Sequence, residues 1–185
     1  MIKYSNVITK SVEKKVVKAI RSILFLIVFF VPHSAWSMTE NLDVQASTNK
    51  IVEGILSFSR WPGVVEHPLL CISQQAKYFN LSKAAGNGSY RVVTIIDSTK
   101  FNSAGCNAIY LGQESVKQQS AIINSLEGQH VLTISENNSD CVAGASFCIN
   151  RRNQRFKFSV NLDSLTRSGV RVNSDVLLLS RDGDE

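Results

Sequence analysis

Histidine is scarce in this 185-residue chain, with three in all. Two of them, His67 and His130, lie beyond the N-terminal segment, and neither has a second histidine, a cysteine or a carboxylate at metal-ligand spacing. The sequence-readable zinc patterns are therefore missing. No two cysteines are separated by only two residues, so the common dithiol oxidoreductase arrangement is absent. No serine sits in a nucleophile elbow. Gly86-Asn87-Gly88-Ser89 is not followed by the lysine and hydroxyl residue that would hold phosphate, and reads as a turn. These absences exclude the easily recognised catalytic classes, and we expect no metal, no cofactor and no enzyme activity.

Positive charge is also scarcer than it first seems. The chain has 20 basic and 15 acidic residues. Residues 1–37 hold six of the basic ones (Lys3, Lys10, Lys14, Lys15, Lys18, Arg21) and one acid, Glu13, leaving 14 of each and no net charge. The basic pI belongs to the first segment and gives no reason to expect nucleic acid as a partner.

That first segment has the three parts of a signal peptide. A basic stretch precedes the apolar run Ile23–Val31, Pro32 breaks it, and Ala35-Trp36-Ser37 sets small residues at the cleavage positions. The rival reading, an uncleaved anchor, needs about 20 apolar residues, and the strictly apolar run has nine. We therefore expect residues 1–37 to be a signal peptide, with a mature domain of 38–185 in the periplasm.

What is there is an even set of cysteines: Cys71, Cys106, Cys141 and Cys148. Behind an export signal they read as two disulfides formed in an oxidising compartment. Cys141 and Cys148 are close in sequence, with Gly144 between them, so local pairing needs little reorganisation and leaves Cys71 for Cys106. Chain entropy assigns roughly 2.5 kcal/mol to the short loop and roughly 4 kcal/mol to the long one. Structural staples are the simpler reading, and a redox-sensing bond is the sharper one.

The remaining 148 or so residues suffice for one domain with a proper core. Ile51, Val52, Ile55, Leu56 and Phe58 recur at helical spacing, predicting a helix capped by Thr48 or Asn49 and stopped at Trp61-Pro62. Strands are expected at Leu69–Ser73, Tyr90–Ile96, Asn107–Leu111 and Val131–Ser135. Helices are expected over Ala76–Ala85, Glu114–Leu126 and Leu162–Ser168, with a final one capped by Ser174. Phe147–Asn150 and Arg155–Asn161 read as a hairpin. Asp97 and Asp163 read as caps, and Trp61 as a plug beneath the first helix. The fold class is α/β: a single domain, a mixed β-sheet flanked by helices, and two disulfides.

Arg151, Arg152, Arg155 and Lys157 form a basic cluster on the hairpin. It reads as a solvated face or a dock for a partner. An exported, disulfide-bonded domain with no catalytic constellation is better suited to binding than to reacting.

Several segments resemble the YfiR-type periplasmic proteins. Ile55-Leu56-Ser57-Phe58-Ser59-Arg60-Trp61-Pro62 is similar to their opening. Pro68-Leu69-Leu70-Cys71-Ile72 and Gly105-Cys106-Asn107-Ala108-Ile109-Tyr110-Leu111-Gly112 fit the segments around their first two cysteines. Phe158-Ser159-Val160-Asn161-Leu162-Asp163-Ser164-Leu165, Arg167-Ser168-Gly169-Val170 and Ser174-Asp175-Val176-Leu177-Leu178-Leu179 resemble their tail. Cys141 and Cys148 bracket Gly144-Ala145-Ser146-Phe147 as in that family. The likeness runs from about residue 46 to 181.

The resemblance implies a periplasmic repressor that binds the periplasmic part of an inner-membrane diguanylate cyclase, YfiN. Repression lowers cyclic di-GMP and biofilm formation and favours motility. The resemblance also implies an outer-membrane lipoprotein that can sequester the repressor, a possible homodimer, redox tuning, and the pairs Cys71–Cys106 and Cys141–Cys148. We place the partner surface at Arg151, Arg152 and Arg155 and on the helices after Asn161, with Leu162, Leu165 and Arg167. Competing expectations are a thiol–disulfide protein and a small-ligand sensor that uses Trp61.

Overall fold

The computed structural model describes residues 36–63, 66–79, 89–152 and 155–180. The compact unit is Asn41–Glu185. The expected signal segment, apart from Trp36 and Ser37, lies outside the described residues, as does the Gly86-Asn87-Gly88 turn. No helix among the described residues is long and apolar enough to cross a membrane.

Six strands form the main sheet: β2 (Leu69–Ser73), β3 (Arg91–Ile95), β4 (Ala108–Leu111), β5 (Leu132–Ser135), β6 (Phe147–Arg152) and β7 (Arg155–Val160). Their spatial order is β3-β2-β4-β5-β6-β7. The first five are parallel neighbours, and β7 returns antiparallel to β6. Numbered from β2, the parallel strands run 2-1-3-4-5, the flavodoxin-like doubly wound order. A separate short ladder pairs β1 (Ser59–Arg60) with β8 (Arg171–Val172).

Alternation along the central strands sends side chains to two different cores. Leu70, Ile72, Ala108, Tyr110, Leu132, Ile134, Phe147 and Ile149 point to one face. There they meet α1 (Trp36–Ser57), Phe79 and Tyr90 from the β2–β3 connection, and the C-terminal residues Val170 and Val176. Cys71, Ile109 and Leu111 point to the other face, beneath α2 (Val116–Ser125) and the 3-10 turn Ser98–Ser103. The central strands are thus buried on both sides, which is why they read as continuous apolar runs rather than alternating ones.

The ends of the elements depart from expectation in several places. Thr48 and Asn49 do not cap α1; both are buried within it. Thr48 lies on the stripe Val44-Thr48-Ile51-Ile55, one turn upstream of the expected start, so the buried face continues past it. The helix also stops before Trp61-Pro62. Its last carbonyls accept from the hydroxyls of Ser57 and Ser59 (2.8 and 2.7 Å), and the chain then pairs with β8. The expected helix over Ala76–Ala85 is absent through Phe79, where the chain turns and bends; its remainder lies outside the described residues. The last element, Ser174–Ser180, is a 3-10 turn, and its first turn is capped by Asn173, whose Oδ1 accepts from Asp175 N at 3.0 Å.

Other element ends are set by side-chain and glycine caps. Ser115 caps α2 in a reciprocal capping box with Gln118. Asp97 caps the Ser98–Ser103 turn through Thr99. α3 (Leu162–Ser168) ends on Gly169 at φ 65°, a left-handed position. Asn161, not Asp163, caps it; Asp163 instead pairs with Arg167 one turn on. Trp61 is half-buried against the first core and donates to the Asn107 carbonyl at 2.7 Å.

Candidate functional site

Cys71 lies in β2, fully buried, and its sulfur is 1.94 Å from that of Cys106 in the loop before β4. Cys141 ends the short turn Ser139–Cys141, and its sulfur is 2.09 Å from that of Cys148 in β6. Both pairs sit on the α2 face of the sheet. Ile123 of α2 packs against the core cluster that contains the first pair and also against the one that contains the second. One helix therefore covers both bridges. Their burial opposes thiol exchange, which requires an attacking thiolate to reach a sulfur.

In doubly wound sheets ligands occupy the crevice at the carboxyl ends of the strands, where the strand order reverses. Here that place lies between β2 and β4, and the protein's own residues fill it. Glu136, just past β5, accepts from Lys77 N (2.6 Å) and Gln113 Nε2 (2.8 Å) on Oε1. Its Oε2 accepts from Tyr78 N (2.9 Å) and the Tyr110 hydroxyl (2.7 Å). Four donors from three segments converge on one buried carboxylate. Two are backbone N–H groups of the segment expected to be helical, at Lys77 and Tyr78. Burial, then the Glu136 charge, holds the Tyr110 hydroxyl well above a tyrosine's ordinary range.

A second buried carboxylate lies beside the first. Glu114, expected as the first residue of α2, lies just before it, and its side chain accepts from the Ser73 hydroxyl at the end of β2. Gln119 of α2 donates to the Glu114 carbonyl (3.0 Å) and accepts from Ser135 (2.8 Å). Gly112 completes the closure: a Cβ there would lie 2.2 Å from the Gln75 carbonyl carbon. Glu136 and Gln119 escaped the sequence reading because a single acid or amide beside a strand has no motif. Only the strand order makes that position special.

The six residues expected to meet a partner fall into two groups. Arg152 and Arg155 are in register across the hairpin near its tip, beside the Arg151–Phe156 pair. Arg151 is exposed and lines a cavity of about 550 Å³ with Tyr78, Val116, Asn138 and Val142. Leu162, Leu165 and Arg167 belong to α3, which follows the far end of β7. The hairpin strands are six residues long, so the two groups stand roughly 17–20 Å apart along the sheet. Leu162 is 72% exposed, whereas Leu165 packs against the core. His67 and His130 are exposed, and His130 Nδ1 lies 3.2 Å from the Ser168 carbonyl. Among the described residues no three His, Cys, Asp or Glu side chains cluster as metal ligands would.

A doubly wound α/β domain, braced by two buried disulfides and closed at its ligand crevice by its own carboxylates, is the class these observations define. A family model described as YfiR/HmsC-like matches residues 45–181. The chain belongs to the YfiR/HmsC-like family, and the match takes in the whole six-stranded sheet and both disulfides. The family is regulatory rather than catalytic, and membership points to a periplasmic regulator of a diguanylate cyclase.

Proposed function

We propose that this chain is exported, loses residues 1–37, and binds the periplasmic part of an inner-membrane diguanylate cyclase, holding the cytoplasmic cyclase domain inactive. Cyclic di-GMP and biofilm formation then fall, and sequestration of the repressor by an outer-membrane lipoprotein relieves the block. The observation that carries this reading is the YfiR/HmsC-like match across the folded domain. A cut after Ser37 removes two residues of α1 and keeps its buried face from Val44 onward.

Repression requires differential affinity. A ligand that binds active and inactive cyclase equally well shifts nothing, and a full switch requires about 10⁴-fold preference for the inactive state. The basic hairpin tip and exposed Leu162 on α3 supply charged and apolar contacts for such binding. The disulfides set how much binding-competent protein exists, because each is a large share of a typical domain's stability.

Co-purification of the mature domain with a membrane cyclase from its own cell tests the reading, together with cyclic di-GMP in a deletion strain. The expected result is a recovered cyclase and a raised nucleotide level. An unchanged level in the deletion strain overturns the proposal.

A further inference from the structure

The crevice between β2 and β4 is filled, but a second one further along the sheet is open. Past the carboxyl ends of β5 and β6 lies the cavity of about 550 Å³ that Arg151 lines. In a doubly wound sheet this is the side on which helix N-termini gather, each with unpaired N–H groups and a partial positive charge. α2 presents Ser115 and Val116 to the cavity. The Ser115 hydroxyl takes the N–H of Gln118. The Val116 N–H has no partner among the described residues.

A buried side chain adds a second donor. Asn138 is 4% exposed and lines the same cavity. Its Oδ1 accepts from Ala143 N at 3.2 Å, which fixes the orientation of the amide. Nδ2 is then left as a buried donor with no partner among the described residues. Such a donor costs free energy that an incoming acceptor recovers. Arg151, exposed, brings a positive charge to the same lining. All three groups favour a negatively charged acceptor.

The rest of the lining narrows the choice. The Glu136 carboxylate also borders the cavity, so a ligand with two negative charges, such as inorganic phosphate, is repelled. Val116 and Val142 are 49% and 74% exposed beside the polar groups, a surface that an apolar chain would cover. The volume is that of a small-molecule site. We propose that this cavity binds a small organic acid with one carboxylate and a short apolar chain. One carboxylate oxygen accepts from Asn138 Nδ2 and the other from the Val116 N–H. Arg151 adds its charge, and the chain lies on Val116 and Val142.

Titration of the isotope-labelled protein with hexanoate, followed by NMR, tests this. The expected result is saturable binding with a dissociation constant of about 1 mM or lower. The largest shifts should fall on the Val116 amide and the Asn138 side-chain amide. Hexanol keeps the chain without the charge and should bind about tenfold more weakly or worse, and phosphate should not compete. Val116→Glu changes an exposed first-turn position where a carboxylate suits the helix. It should leave the melting temperature unchanged and weaken hexanoate about tenfold or more. Asn138→Asp keeps an oxygen for Ala143 N and should abolish binding. The absence of saturable shifts at about 20 mM hexanoate overturns the proposal. So does hexanol binding as tightly, binding that survives Val116→Glu, or a cavity that ignores free acids and takes only an acidic side chain of another protein.

Discussion

The Tyr110 hydroxyl donates to Glu136 Oε2 at 2.7 Å, tying the interior of β4 to the residue that follows β5. That carboxylate also holds two backbone amides of the β2–β3 connection and the Gln113 amide. The ends of three strands thus depend on one buried charge. Glu136→Ala leaves the buried Tyr110 hydroxyl and three part-buried donors without their acceptor and should cost about 3 kcal/mol. Tyr110→Phe removes one donor and leaves three, and should cost about 1 kcal/mol. Urea unfolding of both variants checks the ranking; equal losses would mean that the network does not converge on Glu136.

Alkaline pH should destabilise the domain. Burial and the Glu136 charge raise Tyr110, and burial and the Glu53 charge raise Tyr90, above the ordinary value of 10.0. The folded chain keeps both phenolic protons when the unfolded chain has released them. The unfolded state then binds fewer protons, and unfolding free energy falls with rising pH. The stabilisation is complete below about pH 10 and is lost progressively above it. Melting temperature against pH should be level up to that point and fall beyond it, less steeply in Tyr110→Phe.

Gly112→Ala should be among the most damaging single changes. Its methyl group would meet the Gln75 carbonyl carbon at 2.2 Å, a backbone neighbour that cannot swing away. Separating the two turns breaks the Gln113 N to Gln75 O bond of 3.1 Å and costs roughly 3 kcal/mol or more. Gly63→Ala is the contrast: among the described residues no atom beyond its chain neighbours lies within 4 Å of the added carbon, and the positive φ of 90° opposes it. Calorimetry should show Gly112→Ala melting well below Gly63→Ala.

The two bridges should differ in weight. Loop entropy for sequence separations of 35 and 7 residues gives about 4 kcal/mol and about 2.5 kcal/mol. Serine replacements should lower the melting temperature by about 12 °C for the Cys71–Cys106 pair and about 7 °C for Cys141–Cys148. If stability limits the amount of active repressor, cyclic di-GMP should rise in the same order. A variant that melts early yet represses normally would separate the disulfides from function.

Partner contacts can be divided by position. Arg151 at the hairpin tip and Leu162 on α3 are both exposed. Arg151→Glu and Leu162→Glu should each leave melting within about 2 °C, as surface changes do. Leu162→Glu should weaken cyclase capture about tenfold or more, since a desolvated apolar anchor carries interface energy. Arg151→Glu should mainly slow association and reduce its salt dependence. Pull-down and surface plasmon measurements on the two variants read the difference.

The central strands and α2 were legible because their signals are local. Leu69–Ser73 and Val131–Ser135 are short apolar runs bounded by polar and turn residues, and the segment Glu114–Leu126 is closed by Gly128 just past its end. Of the expected helix over Ala76–Ala85, the described part through Phe79 turns and bends, and Lys77 N and Tyr78 N are held there by Glu136, a side chain some 60 residues away in sequence. α1 was read too short because Thr48 has the chemistry of a cap and the position of a core residue. The partner residues were gathered by sequence proximity across Arg151–Arg167, while the hairpin carries the chain away and back so that α3 starts at the opposite end.

Periodicity, punctuation and cysteine spacing were enough for the strands, α2 and α3, the α/β class and the two bridges, because each rests on residues near in sequence or on simple pairing. Strand order and the filled crevice came only with folding. Those features depend on which segments become neighbours, and that follows from how two apolar faces of one sheet are buried at once, a condition no single stretch of sequence expresses.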